Sequence, residues 1–540
     1  MVALRVAHVV LTGIIFITGY LVYQVDAFHV ATFPRIPGSI INSKGSFIFS
    51  RLRDNTQLNA FKFFRNGKLV RETKITVVDD DDNPIVTPPL KVFKNTNVSI
   101  SNDNNLQLKQ ESEVVVEEEA APSTIEEAGI VIIGGGVSGL TAAITAAAAI
   151  QKKKTSNAKI VLLEANGSFG GRVASERTDD GFVLDKGFAV FIEEYPYSKM
   201  LLDYDDLKLK PFLPGALVKL EGSDDLARIS DPIREPSDLY DALVSPVGSP
   251  GDKLAMVPLL LNVRLKSIAE LFEEFETDTA TALKSRWRFS NDIITKFFKP
   301  FLEGIYLSPL PTQSSRMFSF VMKMFAEGSA TLPEGGMQAV ADQLAARAKT
   351  FGVDLRTNSP VSSVKLINED GDSSIMVHMV ETIEGETQEC PIKANYVVVA
   401  TDGQVAQQLI SNIDGFESLE YLPQQPQRSV GCVYYTFEGP APVSEPILIL
   451  NGIGGDDADS PILPVNNVCF PSIVNEGYAP KGSNLCSVTV LSGAMEFYKG
   501  KEDELDMAVR KQLGTWFTEN QQEILEKWKL KKIFNVSDAI

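Results

Sequence analysis

The chain has 540 residues, 44% hydrophobic and 22% charged, a globular composition with length for more than one domain. Its 70 acids against 51 bases give a net charge of −19, which leaves no cationic excess for phosphates and excludes a nucleic-acid binder. Three histidines and four scattered cysteines rule out a multi-histidine metal site and a C-x-x-C redox pair, so any hard chemistry belongs to a cofactor.

Val6 to Val25 carries no formal charge behind Arg5, and residues 1–27 read as a secretory signal or a membrane anchor. Residues 28–78 are basic (Arg35, Lys44, Arg51, Arg53, Lys62, Arg65 and others) and rich in serine and asparagine, a transit-peptide composition. With Phe28 following Ala27, the segment resembles the bipartite presequence of algae with secondary plastids, which implies a plastid address. The alternatives are an unaddressed basic tail, or membrane anchoring in the secretory pathway. Residues 79–128 turn acidic, with DDDD and EVVVEEE, and read as a disordered linker.

Ile130 to Gly139 reads IVIIGGGVSG, an apolar run followed by Gly134, Gly136 and Gly139. The run fits a buried strand, and LTAAITAAAAI after it fits a tightly packed helix. Between them the chain must turn, approach a ligand closely and start a helix, tasks a side chain at these glycines would obstruct. The amides at the helix start then suit a pyrophosphate. KIVLLE (Lys159 to Glu164) is a second buried-strand pattern, ending in an acid about 25 residues beyond Gly139. Glu164 is placed to accept hydrogen bonds from a ribose diol.

Gly170, Gly171 and Arg172 close the segment EANGSFGGR. Here the chain resembles the FAD-dependent superfamily of amine oxidases, protoporphyrinogen oxidases and carotenoid desaturases. The resemblance implies that Gly170 and Gly171 pass close to FAD and that Arg172 lies against its diphosphate and flavin. FVLDKGFAVF, with Gly187, looks like the superfamily's D-x-G segment near the flavin ring, and TLPEGGMQAVADQLA like its P-x-G-G-M turn. Val361 would by resemblance offer its backbone to the adenine, and Ala400-Thr401 would close a loop near the nucleotide. The implied fold is α/β, a Rossmann-like FAD-binding domain with an inserted mixed α+β substrate domain. Residues 129–195 and 331–402 would build the FAD domain, 196–330 the insertion, and 403–540 further substrate-domain sheet and helices.

Within the insertion, Lys253 to Arg264, Ile268 to Phe275 and Asp292 to Phe301 have helical apolar patterns. Phe297, Phe298, Phe301, Tyr306, Phe318, Phe320 and Phe325, with Met317, Met322 and Met324, form either ordinary core or the wall of a greasy substrate tunnel. LRTNSPVSSVKL suggests a strand pair, ANYVVVATD a buried strand, and residues 430–491 the sheet of a substrate cavity. The cysteines read as free thiols, with a Cys469–Cys486 disulfide left open. His378, in the strand-like SIMVHMV, reads as structural.

Superfamily members end with a G-D element over the flavin, and the sequence reaches Ile540 where that element should begin. Either the sequence is C-terminally incomplete or a wall of the flavin site is lost, and weakened FAD binding is the expectation for these 540 residues. The activity expected is an FAD-dependent oxidoreductase removing a hydride equivalent from a C–N or C–C bond of a small or lipophilic substrate. Amine oxidation competes with carotenoid-desaturase-like or protoporphyrinogen-oxidase-like chemistry. A non-catalytic flavoprotein-like binding or assembly factor is the reading from another class. The oily insertion also allows peripheral membrane association. No side chain is assigned as a catalytic acid or base, no metal is expected, and the oligomeric state is left open.

Overall fold

A computed structural model describes residues 125–536 except 154–157, 188–189, 232–233, 235–243, 370–371, 384–385, 412, 414–428 and 454–462, together with the backbone of one hairpin nearer the N-terminus. That hairpin pairs Ala60–Arg65 antiparallel with Lys68–Lys74, inside the transit-peptide-like stretch. It and residues 126–540 belong to separate compact units. The signal and most of the transit and linker readings lie outside the described residues.

The strand predicted from IVII runs over Glu126–Ile133, starting three residues inside the stretch read as linker. The reason is electrostatic. Arg356 and Lys159 both bond the Glu126 carboxylate, so this acid belongs to the sheet and not to a solvated run. The helix Val137–Lys153 follows at once, then the strand Ile160–Leu163. These form the middle of a six-stranded sheet ordered 354–356, 160–163, 126–133, 386–399, 372–383, 361–369. The first four strands are parallel, and the last three make an antiparallel meander.

Both faces of this sheet are covered, which is why its central strands are apolar throughout. Ile132, Ile160 and Leu162 meet Leu140, Ala143, Ile144 and Ala147 of the first helix, and Val340 and Leu344 of the helix Gln338–Thr350. Val131, Ile133, Val161 and Leu163 face the meander and the helix Gly403–Ile410. LRTNSPVSSVKL supplies two strands, but Asp354–Arg356 and Val361–Glu369 lie at opposite edges of the sheet. The chain crosses the strand tips between them, at Asn358 and Ser359.

A second, seven-stranded sheet is ordered 226–230, 215–219, 448–451, 465–469, 483–490, 430–438, 529–536. It thus combines strands from both substrate-domain segments. One face packs on Leu505, Val509, Leu513 and Trp516 of the helix Glu502–Trp516. The other packs, through Ala216, Val218 and Leu450, on helices that include Pro250–Leu265, Lys299–Tyr306 and Ser315–Glu327.

Candidate functional site

The sharp turn after Ile133 is held from three sides. The Gly134 N–H donates to the Leu163 carbonyl (2.8 Å), the Ala400 N–H to the Ile133 carbonyl (2.7 Å), and the Gly170 N–H to the Gly135 carbonyl (2.9 Å). Gly139 is pressed against this turn: a Cβ there would stand 1.9 Å from the Gly134 carbonyl oxygen. At Gly136, by contrast, the nearest atom to an added Cβ is 3.9 Å away, so this side of the turn is open. The helix begins at Val137, and its first-turn amides have no preceding helical carbonyls to bond. Backbone donors, the positive end of a 17-residue helix and open space form an anion cradle.

Glu164 is buried at the tip of the second strand. Its Oε2 accepts from the Gly135 N–H (2.7 Å), and its Oε1 from the Asn166 N–H and Nδ2 (2.9 and 2.8 Å). Sequence reasoning assigned this carboxylate only to a ribose. In the structure it first fixes the phosphate turn, and Gly135 and Asn166 are partners that reasoning missed. A carboxylate offers about four acceptor sites, so capacity for a ribose hydroxyl remains.

Gly170 and Gly171 cross beside Gly136, with which Gly170 forms an isolated bridge. Gly170 has φ +122, and a Cβ there would meet the Val173 carbonyl at 2.4 Å, which reserves the position for glycine. Arg172 follows at the exposed surface of the same turn. Val361 begins its strand two residues after Ser359, whose N–H donates to the Glu164 carbonyl (2.8 Å). The described chain therefore brings Gly134, Gly136, Gly139, Glu164, Gly170, Gly171 and the approach to Val361 to one end of the sheet. Gly187 borders the seven-stranded sheet instead, with Val536 and Val430 as its neighbours.

Sequence reasoning also passed over Asp185, although it lies in the D-x-G segment. Its buried carboxylate accepts from Ser175 Oγ, from the Met337 N–H (2.9 Å) and from the Tyr478 hydroxyl (2.8 Å). Its carbonyl accepts from the Tyr434 hydroxyl (3.0 Å). The D-x-G hairpin, the P-x-G-G-M turn and the seven-stranded sheet thus meet on one acid. Burial pushes its carboxyl above the ordinary aspartate value, opposed by those donors. Asp185 therefore weakens folding as pH rises from the unfolded value towards its own raised one.

The four cysteines are free, with Cys432, Cys469 and Cys486 buried. Burial pushes the Cys432 thiol up to about 11, and raises the other two as well, so none is an activated nucleophile. Among the described residues no group of His, Cys, Asp and Glu could hold a metal.

The tunnel-or-core question resolves residue by residue. A cavity of about 620 Å³ lies between the helices and the edge of the seven-stranded sheet, and Phe297, Phe301, Phe325 and Met322 line it. Phe297 and Phe301 stack at 5.5 Å, and Phe301 meets Phe325 at 5.3 Å. Phe298, Tyr306, Phe318, Phe320, Met317 and Met324 are core. Of the charged groups at the wall, all partly exposed, Asp231 is the one carboxylate among the described residues, accompanied by Arg234 and Lys253.

The description "flavin containing amine oxidoreductase" matches residues 137–537, well over half of the chain. The chain belongs to that family. It is an FAD-dependent oxidoreductase, and the reading as a non-catalytic factor falls away. Among solved structures it is similar to an Exiguobacterium sp. 255-15 protein described as a protoporphyrinogen oxidase, at 19% identity and TM-score 0.52, covering 76% of this chain and 86% of that one. It is also similar to an oxidoreductase from Methanosarcina mazei (17%, TM-score 0.51, 76% and 88%). A putrescine oxidase bound to putrescine matches at 15%, TM-score 0.52, with 76% and 84% covered. At these identities the likeness carries the α/β FAD-binding fold with its substrate domain and no substrate. No curated protein matches it in sequence.

The residues present fit FAD. The open side of Gly136 and the helix amides would hold the diphosphate, Glu164 the ribose, and the backbone of Gly170 and Gly171 the cofactor's flank. FAD supplies the hydride acceptor; the chain supplies position and exclusion of water.

Proposed function

We propose that the enzyme oxidises a C–N or C–C bond of an uncharged, lipophilic small molecule bound in the aromatic-walled cavity. The observation that carries this reading is the composition of that wall. Its size suits a drug-sized molecule, and its lining is mostly Phe, Met, Leu, Ile, Val, Ala and Pro, with two cations for one carboxylate among the described residues. A diammonium ion such as putrescine would meet unfavourable charge and few acceptors there. Arg234 is directed to the Phe325 carbonyl (2.9 Å) and Ser329 Oγ (2.8 Å), and Lys253 to the Ser245 carbonyl (2.8 Å).

The deciding experiment mixes the FAD-loaded chain anaerobically with putrescine, a long-chain secondary amine and a polyene, following loss of the oxidised-flavin absorbance. Reduction by a lipophilic compound and not by putrescine is expected. Faster reduction by putrescine would refute the assignment.

The helix Pro250–Leu265 supports a route of supply. Leu254, Val257, Leu261 and Leu265 form an exposed stripe along it, Leu265 being 80% exposed, and Leu254 and Val257 also line the cavity. No described helix is long and apolar enough to cross a membrane. The proposal is that this stripe rests on a lipid surface from which substrate enters. Co-sedimentation with phosphatidylcholine vesicles should be lost in a Leu261→Glu, Leu265→Glu double variant that still binds flavin; unchanged co-sedimentation would contradict it. The plastid address is proposed on the N-terminal sequence alone, and import of a fluorescent fusion tests it.

A further inference from the structure

Asn467 is out of character with the cavity it borders. It lies in the strand Val465–Cys469, in register with Leu450 on one side and Thr489 on the other. The residue is 1% exposed, and its carboxamide oxygen has no hydrogen-bond partner among the described residues. Its neighbours are better served. Asn466 Nδ2 donates to the Pro300 carbonyl (3.0 Å), and Asn451 donates to the Val465 carbonyl (2.9 Å) while accepting from the Ile453 N–H (3.1 Å). Thr489, across the strand, brings no relief, since its own buried hydroxyl is also unpartnered.

A buried carboxamide oxygen left without a partner costs stability that an apolar residue of the same shape would not. Gly304 on the adjoining helix makes room for it, because a Cβ there would stand 2.8 Å from the Asn467 Nδ2. The chain therefore keeps a polar group, packed closely on Gly304, in the wall of an otherwise oily chamber.

We propose that Asn467 is the specificity-determining hydrogen-bonding group of this cavity, and that its ligand is an apolar molecule carrying one neutral hydroxyl or unprotonated amine. Such a group both donates and accepts, so it answers a carboxamide in either orientation. A protonated amine only donates, and would arrive beside Arg234 and Lys253. A plain hydrocarbon fills the cavity but leaves the amide unmet. This inference rests on the reading of the cavity as the lipophilic substrate site, and adds the polar handle that the substrate must bear.

The test is equilibrium dialysis of the FAD-loaded full chain against decane, 1-decanol and decylamine, at neutral pH and at about pH 10, where an alkylammonium has begun to lose its proton. Decanol should bind about tenfold more tightly than decane. Decylamine should approach decanol only as rising pH removes its proton. Asn467→Leu, close to asparagine in shape, should bring decanol and decane within about twofold of each other while binding decane at least as well as the native chain. Retained decane binding also shows that the variant is folded. Equal affinities in the native chain, or a decanol preference that survives the substitution, would overturn the role of Asn467 and leave the cavity reading standing. Failure of all three probes to bind would overturn both. A decylamine affinity that rises above that of decanol identifies the handle as an amine, and one that stays below it as a hydroxyl.

Discussion

Two glycines three positions apart do different work, and the distances around them separate the two roles. A methyl at Gly139 collides with backbone, the Gly134 carbonyl at 1.9 Å, and neither the helix nor the strand can yield cheaply. Gly139→Ala should therefore lower the unfolding midpoint of the flavin-free chain, by about 1–3 kcal/mol of stability, and flavin affinity with it. A methyl at Gly136 meets nothing closer than 3.9 Å, so Gly136→Ala should leave the flavin-free midpoint nearly unchanged. It should nonetheless weaken flavin binding by about tenfold or more, because the methyl occupies the cradle. Thermal unfolding and a flavin fluorescence titration check both. A Gly136→Ala chain that binds flavin like the native one would remove the cradle from this end of the sheet.

At the scale of elements, the strands of the parallel half of the FAD-domain sheet are tied together by charges. Arg356 from the edge strand donates to Glu126 of the central strand and to Asp354, while Lys159 bonds Glu126 and stands 3.3 Å from Asp354. The hydrogen bond from Arg356 is the main reason that the Glu126 carboxyl falls to about 2 from its ordinary 4.5. A depressed acid stabilises the fold above its unfolded value, and that contribution disappears as pH falls from about 4.5 to about 2. The site is partly exposed, so screening reduces its worth. Glu126→Gln should cost about 1 kcal/mol at neutral pH and nothing near the acid end. Urea unfolding across that pH range measures the difference; an equal loss at both ends would mean that the ion cluster is not its source.

For the whole molecule, the D-x-G hairpin and the substrate sheet are joined by a buried apolar cluster, Phe182, Val183 and Leu184 against Cys432, Leu485 and Phe534, and by the bonds of Tyr434 and Tyr478 to Asp185. FAD in the cradle binds only the folded chain, so its removal should lower the unfolding midpoint. At a hundredfold excess over the dissociation constant, bound FAD contributes about 2.7 kcal/mol. Stripping it should therefore lower the midpoint by roughly 5 °C, with recovery on adding FAD back. A midpoint indifferent to FAD, measured by calorimetry, would contradict the cradle.

The nucleotide half of this protein was legible in its sequence because close backbone approach leaves a local mark. Only glycine fits between Gly134 and the helix it abuts, and only an apolar run survives burial on both faces, so IVIIGGGVSG and KIVLLE report their own surroundings. Glu164 was legible as a strand-tip acid, but its bonds to Gly135 and Asn166 were not, since they depend on how the turn closes. The cavity was illegible for a related reason. Phe297 and Phe298 are neighbours of identical chemistry, and only the packing of helices on a sheet drawn from two distant segments sends one to the cavity and the other to the core. Asn467 depends on that packing too: in the sequence it is one of two adjacent asparagines, and only its folded surroundings leave its carboxamide oxygen without a partner among the described residues.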